Sequence, residues 1–535
     1  MTIKIDSNLN LPKQYKTWRD DQWATLSAIQ KSDKSFFLAD LPTGVGKSLI
    51  AVGAHKILNK KTIIICATKQ LQNQYLRDFE DIAVTLKGRA NYPCAMRKSE
   101  FPDVTCEDCS MKMPRKCRYF SECEYYQQKE KAAAAPLAIL NNAYFLNEVN
   151  GFNSVFAGAE LLIADEIDAL DNTLLGYVEL RVNSRQLDRY GLSTPYQPWF
   201  KESWVKWIDK ANETLTRTSG DLGRNLERRS FEDWGKPEMD ANKRKKAVEK
   251  LKDKLTFIKS EVDYTWTFTQ EVKDGQTEWV FKPINVGKYA NRYLWSQANM
   301  KIGLSGTILS PQILCRELGI SDCDYMRLSS PFDVGNRPIY YNPVASFSHN
   351  HMAEELPKLK KQIEMDLKGY EDKKVLIHTV SYQLRDYLRD NLECQDRIVT
   401  HDSNDREQAL EHFKKSRKPL VILSPSFDRG VDLRAEDNCG AQMICKIPYL
   451  SLGDQQVSAK TKTPGGWEWY DLKACQTLLQ MSGRSVRSAT QRCDTFIYDE
   501  KFSRLRSRTK GTIPEWWLAA VQPAKSKIQK AMFSI

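Results

Sequence analysis

The chain has 535 residues, more than one hydrophobic core serves, and implies about three or four structural units. Its 80 Lys and Arg against 68 Asp and Glu leave a formal charge of +12, which favours an acidic partner, nucleic acid before others. No apolar run reaches the ~18 residues of a membrane span and the opening MTIKIDSNLNLPKQYK has no apolar leader core, so a soluble cytoplasmic protein without membrane contact is expected, its 13 cysteines reduced or metal-bound rather than disulfide-paired.

Tyr15 to Gln22 leads into a helical pattern through Ile29. Arg19 and Gln22 form an Arg-x-x-Gln pair about 25 residues before Lys47, and a glutamine amide offers the donor and acceptor that an adenine edge needs. Phe36 to Ala39 then reads as a buried strand, followed by Pro42-Thr43-Gly44-Val45-Gly46-Lys47-Ser48 and an apolar-periodic helix beginning near Lys47. This is a phosphate cradle. The glycines let backbone N–H groups approach a polyphosphate, the helix N-terminus adds its positive end, Lys47 reaches the β/γ-phosphates and the Ser48 hydroxyl ligates Mg²⁺. Leu41 stands where the usual pattern has its first glycine, but strand, loop and helix follow in the right order.

Thr62 to Thr68 reads as a strand buried on both faces and Lys69 to Phe79 as a helix, so Thr68 and Lys69 sit where open α/β sheets place ligands, here a DNA phosphate. Five cysteines follow: Cys94, Cys106, Cys109, Cys117 and Cys123. Four of them satisfy either tetrahedral zinc or an iron–sulfur cluster.

The segment KGRANYPC, joined to the later CEYYQQKEKAAAAPLAILNNAYFL, resembles the cluster-bearing insertion of the XPD/DinG family of iron–sulfur superfamily 2 DNA helicases. The resemblance implies a 4Fe-4S cluster rather than zinc, with Cys94 and Cys123 as first and last ligands, Cys117 as a third and Cys109 favoured over Cys106 for the remaining place. The set Cys94, Cys106, Cys109 and Cys123 is the alternative.

Leu137 to Leu140 is a further buried strand, and Leu161 to Asp168 an apolar strand ending in carboxylates. There Asp165 would hold Mg²⁺ and Glu166 orient and activate the attacking water. The family's usual DEAH here reads DEID, with Asp168 for histidine, which bears on how ATP is coupled to DNA. From about Leu174 to Pro283, charged helices carrying Trp204 and Trp207 and running from Glu227 to Lys259 lead into a hairpin of Thr265 to Val272, Asp274-Gly275 and Thr277 to Lys282. The run Lys243 to Lys246 reads as a solvated helix face.

Met300 to Leu309 returns to the first unit, and its Ser305-Gly306-Thr307 resembles helicase motif III. Leu328 to Pro338 crosses into a second unit with strands at Lys374 to Tyr382 and Leu420 to Ser426. Gly430 and Asp432 match motif V, and Gln480 with Arg484 and Arg487 matches motif VI on a predicted helix, whose two arginines would face the phosphate loop across a cleft. Trp516 and Trp517 lie on a predicted terminal helix.

The expected fold is α/β: two RecA-like parallel-sheet motor domains, the first interrupted by a small iron–sulfur domain and a mainly helical arch. The boundaries are 1–88, 136–173 and 286–335 for the first motor domain, 89–135 for the cluster domain, 174–285 for the arch and 336–535 for the second motor domain. The resemblance implies an ATP-dependent DNA helicase acting as a monomeric motor, moving 5′ to 3′ on single-stranded DNA and unwinding forked duplex. A translocase that remodels protein–nucleic acid complexes and a non-catalytic zinc-bearing DNA-binding protein are the alternatives. The pathway served, repair or replication among others, is left open.

Overall fold

The computed structural model describes residues 2–97, 101–110, 115, 117–151, 154–273, 275–347, 352–428, 431, 433–484, 486 and 488–523. Helix α1 (Asp20–Lys31) leads into strand β1 (Phe36–Asp40), and the phosphate-loop sequence follows, opening α2 (Lys47–Leu58). Next come β2 (Thr62–Cys66), α3 (Lys69–Asp78), β3 (Val84–Leu86), the cysteine segment, α4 (Glu124–Ala134), β4 (Leu137–Asn141) and β5 (Ala159–Asp165). The chain then leaves for β6 (Leu180–Asn183), α5 (Lys201–Leu226), α6 (Lys236–Glu261), β7 (Trp266–Lys273) and β8 (Gln276–Pro283). It returns with β9 (Ala298–Ser305), α7 (Pro311–Leu318) and β10 (Asp324–Arg327).

These strands form a seven-stranded, wholly parallel sheet in the order β10-β1-β9-β5-β2-β4-β3. Its strands read as unbroken apolar runs because both faces are covered: Phe36, Leu38, Ile63 and Ile65 enter one core while Phe37, Ala39 and Ile64 enter the other. Strand β9 lies between β1 and β5, with Ser305 opposite Asp40 and Leu304 opposite Asp165. The segments that follow these three strands therefore emerge side by side along the carboxyl edge, where open α/β sheets bind ligands.

The second sheet is built from β11 (Ile339–Ala345), β12 (Lys374–His378), β13 (Ile398–Thr400), β14 (Val421–Ser424) and β15 (Cys439–Ile444). After helices α8 (Gln455–Thr461) and α9 (Gly466–Ser482) come β16 (Asp494–Asp499), the short α10 (Glu515–Leu518) and β17 (Val521–Pro523). The order is β13-β14-β12-β15-β16-β11-β17, again seven parallel strands. The protein is thus α/β, with two RecA-like domains. The sequence pattern predicts the helix at Trp516 but not β17, which is too short to show a period and is held by pairing with β11.

Between the halves, α5 and α6 pack over an antiparallel sheet β6-β8-β7, and Trp204, Leu215, Val248, Leu255, Trp266 and Phe281 share one core. The hairpin forms as expected, with Asp274 itself outside the described residues. The helix expected from Glu227 instead begins at Lys236: Gly235 is its N-cap, Pro237 fits the first turn, and residues 227–235 carry the chain around the tip. Among the described residues no helix is long and apolar enough to cross a membrane.

Candidate nucleotide cleft and cysteine site

The loop between β1 and α2 turns through Gly44 and Gly46, both at φ +91°, a left-handed conformation that side chains avoid. The first residues of α1 brace it. Arg19 Nη2 donates to Gly44 O at 2.8 Å and to Val45 O, and Gln22 Nε2 donates to Val45 O at 2.8 Å. Gln22 Oε1 in turn accepts from Arg19 N at 3.0 Å. Gln22, expected against an adenine edge, is only 4% exposed and its amide is engaged by the loop and by its own helix cap. Its observed contacts are those of a brace, tying the loop's carbonyls to the start of α1.

Asp165 ends β5 at 1% exposure. Its Oδ1 accepts from Glu166 N at 3.1 Å and its Oδ2 from the Tyr75 hydroxyl at 2.8 Å. Burial, reinforced by the neighbouring Glu166 charge, lifts its carboxyl to about 6. Glu166 adopts a left-handed conformation, φ 59° and ψ 51°, unusual for a side-chain-bearing residue and a form of strain concentrated at functional sites. Its Oε1 lies 3.4 Å from Lys47 Nζ.

Asp168, also 1% exposed, joins the two domains. It accepts from Ser305 Oγ at 2.6 Å, Thr307 Oγ1 at 2.9 Å and, across the cleft, Gln480 Nε2 at 3.0 Å. One turn earlier on α9, Gln476 Nε2 donates to Thr307 O at 2.8 Å, and Lys473 Nζ sits 2.6 Å from Asp171. Residues 473, 476 and 480 share one helical face, a spacing legible in the sequence once Gln480 is known to face the first domain.

Arg484 does not lie on that helix. Helix α9 ends at Ser482, Gly483 closes it through a bond from its N–H to Leu479 O, and the Arg484 guanidinium donates to Asp428 O and, at 3.3 Å, Val431 O. The expectation that the motif VI arginines share a helix with Gln480 is corrected for Arg484, since the glycine ends α9 before it; Arg487, Gly430 and Asp432 lie outside the described residues. Arg484 nonetheless lines the same cleft as Lys47, Ser48, Pro42, Thr43, Asp165, Glu166 and Gln480, a space of about 1110 Å³ between the domains. Phe332 and Arg337 of the crossing segment and Trp516 of the terminal helix, none of them expected at the site, stand on the same wall, where the Arg337 guanidinium stacks 5.1 Å from the Trp516 ring and donates to Trp516 O at 3.0 Å.

All five clustered cysteines line one small cavity walled by Met96, Phe120, Tyr126 and Phe231. Cys94 N donates to Val104 O at 2.9 Å and Cys106 N to Tyr92 O at 2.8 Å, which brings the two segments together. Cys106 Sγ lies 3.7 Å from Cys123 Sγ; the thiol bond from Cys106 pulls Cys123 down to about 6 and holds Cys106 itself well up. Among the described residues no three His, Cys, Asp or Glu side chains converge tightly enough for a single metal ion. Part of the basic run on α6 is solvated, with Lys243 and Arg244 exposed, but its last residue is engaged: Lys246 donates to Glu107 O and Cys109 O, Asn242 Nδ2 donates to Asp108 O at 2.7 Å, and Lys243 pairs with Asp108 at 3.5 Å. The arch thus grips the cysteine loop.

Residues 367–520 match the family described as the helicase C-terminal domain, and residues 15–109 the one described as type III restriction enzyme, res subunit. The chain is 22% identical to the ATP-dependent DNA helicase YoaA of Haemophilus influenzae, over 90% of this chain and 90% of that protein. Among solved structures it superposes on an XPD helicase with a TM-score of 0.61 at 15% identity, covering 97% of this chain and 100% of the other. It superposes on S. tokodaii Xpd4 with a TM-score of 0.58 at 14% identity, covering 94% and 100%. At such identities the structural likeness speaks for the fold.

Proposed function

We infer that the chain is a superfamily 2 helicase of the XPD/DinG type, an ATP-dependent DNA helicase. The observation that carries this reading is the single cleft shared by Lys47 of one domain and Arg484 of the other, with Gln480 reaching across it to Asp168.

In this reading the loop N–H groups and Lys47 hold the β/γ-phosphates. Ser48 and Asp165, a hydroxyl and a carboxylate, suit Mg²⁺ as hard oxygen donors, and that ion when bound offsets charge on the phosphoryl group. Lys47 turning to phosphate releases Glu166, which takes the proton of the attacking water as its oxygen bonds to the γ-phosphorus and the bridging P–O bond breaks, leaving ADP and phosphate. Arg484 and Arg487 stabilise the transferring group, a role worth about 10³ to 10⁵ in rate in related ATPases. We assign Gly430 and Asp432 to the same site on their match to motif V. Because Gln480 and Asp168 tie the halves together beside the nucleotide, hydrolysis alternates closure and opening, and with it each domain's grip on the strand. One chain supplies both halves of the cleft, so a monomer suffices.

We assign the direction as 5′ to 3′ along single-stranded DNA, with unwinding of forked duplex. Five thiols around one apolar cavity suit a 4Fe-4S cluster, which takes one thiolate per iron, and we assign Cys94, Cys109, Cys117 and Cys123 to it, with Cys106 the competitor for the place of Cys109 or Cys117.

Lys47→Ala is expected to abolish DNA-stimulated ATP hydrolysis; a variant that hydrolyses ATP at the wild-type rate overturns the motor reading. Strand displacement from duplexes bearing only a 5′ or only a 3′ tail tests the direction, and preferential opening of the 3′-tailed substrate reverses it.

A further inference from the structure

Tyr75 is a buried polar group that the nucleotide mechanism above leaves without a task. It sits on α3 at 0% exposure, its ring in the core beneath the sheet and 6.2 Å from Phe79. Its hydroxyl donates to Asp165 Oδ2 at 2.8 Å. Ser48 and Asp165 are the two oxygen donors assigned above to the divalent cation.

A phenol that donates its O–H to one carboxylate oxygen fixes how that carboxylate is turned. That bond leaves the remaining lone pairs of the carboxylate for a cation. Asp165 Oδ1 accepts from Glu166 N, and without the phenol its Oδ2 is a buried acceptor with one partner fewer. The helix carrying Tyr75 is itself fixed: Gln72 Nε2, one turn earlier, donates to Leu86 O at 2.8 Å and Ile139 O at 3.0 Å. Its N-cap, Thr68, accepts from Leu71 N, and from there to Tyr75 the helix spans about 10 Å.

We propose that Tyr75 is the positioning residue of the cation site, its hydroxyl fixing the Asp165 carboxylate in the orientation a divalent ion requires. The proposal rests on the nucleotide-site reading. The Tyr75 hydroxyl is an outer contact of the ligand Asp165, and loss of such contacts weakens metal affinity by about 10- to 100-fold.

The test is titration of the full-length protein with Mn²⁺ in the presence of a non-hydrolysable ATP analogue, followed by electron paramagnetic resonance of the free ion. Tyr75→Phe keeps the ring and removes the hydroxyl; it is expected to bind Mn²⁺ at least 10-fold more weakly and to need correspondingly more Mg²⁺ for half-maximal ATPase, while KM for ATP at saturating Mg²⁺ stays near wild type. Phe79→Leu disturbs the same packing without touching the hydroxyl and is expected to leave Mn²⁺ affinity unchanged. Where the Phe variant does not fold, Tyr75→Met, flexible enough to fill the space, serves as the second hydroxyl-free variant. Mn²⁺ affinity within twofold of wild type in a folded hydroxyl-free variant, or equal losses in Phe79→Leu, overturns the proposal. Wild-type protein that binds neither the analogue nor Mn²⁺ with it sinks the nucleotide-site reading instead, and this proposal with it.

Discussion

Gln480, in the second motor domain, donates its side-chain amide to Asp168, in the first, at 3.0 Å, and the same nitrogen reaches Thr307 Oγ1 at 2.9 Å. Asp168 stands where the resembled family has histidine. Its two carboxylate oxygens take three donors, Ser305, Thr307 and Gln480, an acceptor capacity that an imidazole lacks.

Gln480→Ala removes the cross-domain donor and leaves Asp168 its bonds within the first domain. Nucleotide binding should stay within a few-fold of wild type, whereas DNA-stimulated ATPase should fall by about 10-fold or more, matching a lost bond to a charged group of about 1.5–3 kcal/mol. Asp168→Asn should give a similar loss, and the double variant should lose little beyond either single one. Steady-state phosphate release with and without single-stranded DNA reads this; additive losses would mean the two residues act separately.

Lys254 on α6 donates to Tyr177 O and, at 3.2 Å, to Glu179 O, and burial lowers its ammonium to about 8. Between that value and its ordinary range the unfolded chain holds the proton that the folded arch has lost, so stability rises with pH across roughly 8 to 10.5. Below about 8 the lysine is charged in both states and its contribution is flat. The difference in melting temperature between wild type and Lys254→Met, followed across this window, should change in that direction; a constant difference rules the effect out.

Iron and acid-labile sulfide should copurify with protein prepared without oxygen, with absorbance near 400 nm, and Cys94→Ser should lose both. Cys106→Ser separates the two ligand sets: retained iron leaves Cys109 and Cys117 in place, and lost iron brings Cys106 in. Colourless wild-type protein carrying stoichiometric zinc would exclude the cluster.

Glu317 of α7 and Lys460 of α8 form a buried interdomain ion pair, each side chain 5% exposed, with the Lys460 ammonium also 4.4 Å from the Trp469 ring centroid. Glu317→Gln leaves the lysine charge buried with its main partner removed, which typically destabilises by about 3–5 kcal/mol. Chemical denaturation should show that loss, and Glu317→Gln with Lys460→Met should recover much of it.

The sequence by itself determined the elements whose signals are local. The apolar runs that become β1, β2 and β5, the glycine loop opening α2, and the hairpin β7–β8 are each decided by neighbours within a few residues, and each appears where the pattern predicts it. Only the tertiary structure decided what meets at the site. Strand order places β9 between β1 and β5, so Ser305 and Thr307 reach Asp168; Tyr75 reaches Asp165 because the end of β2 lies beside the end of β5, Cys66 opposite Asp165. Gly483 ends α9 before Arg484, and the packing of the arch turns Lys246 from solvent to the cysteine loop. Such contacts join residues far apart along the chain, and they are set by which faces must be buried together, a property of the assembled sheets and helices that no window of neighbouring residues contains.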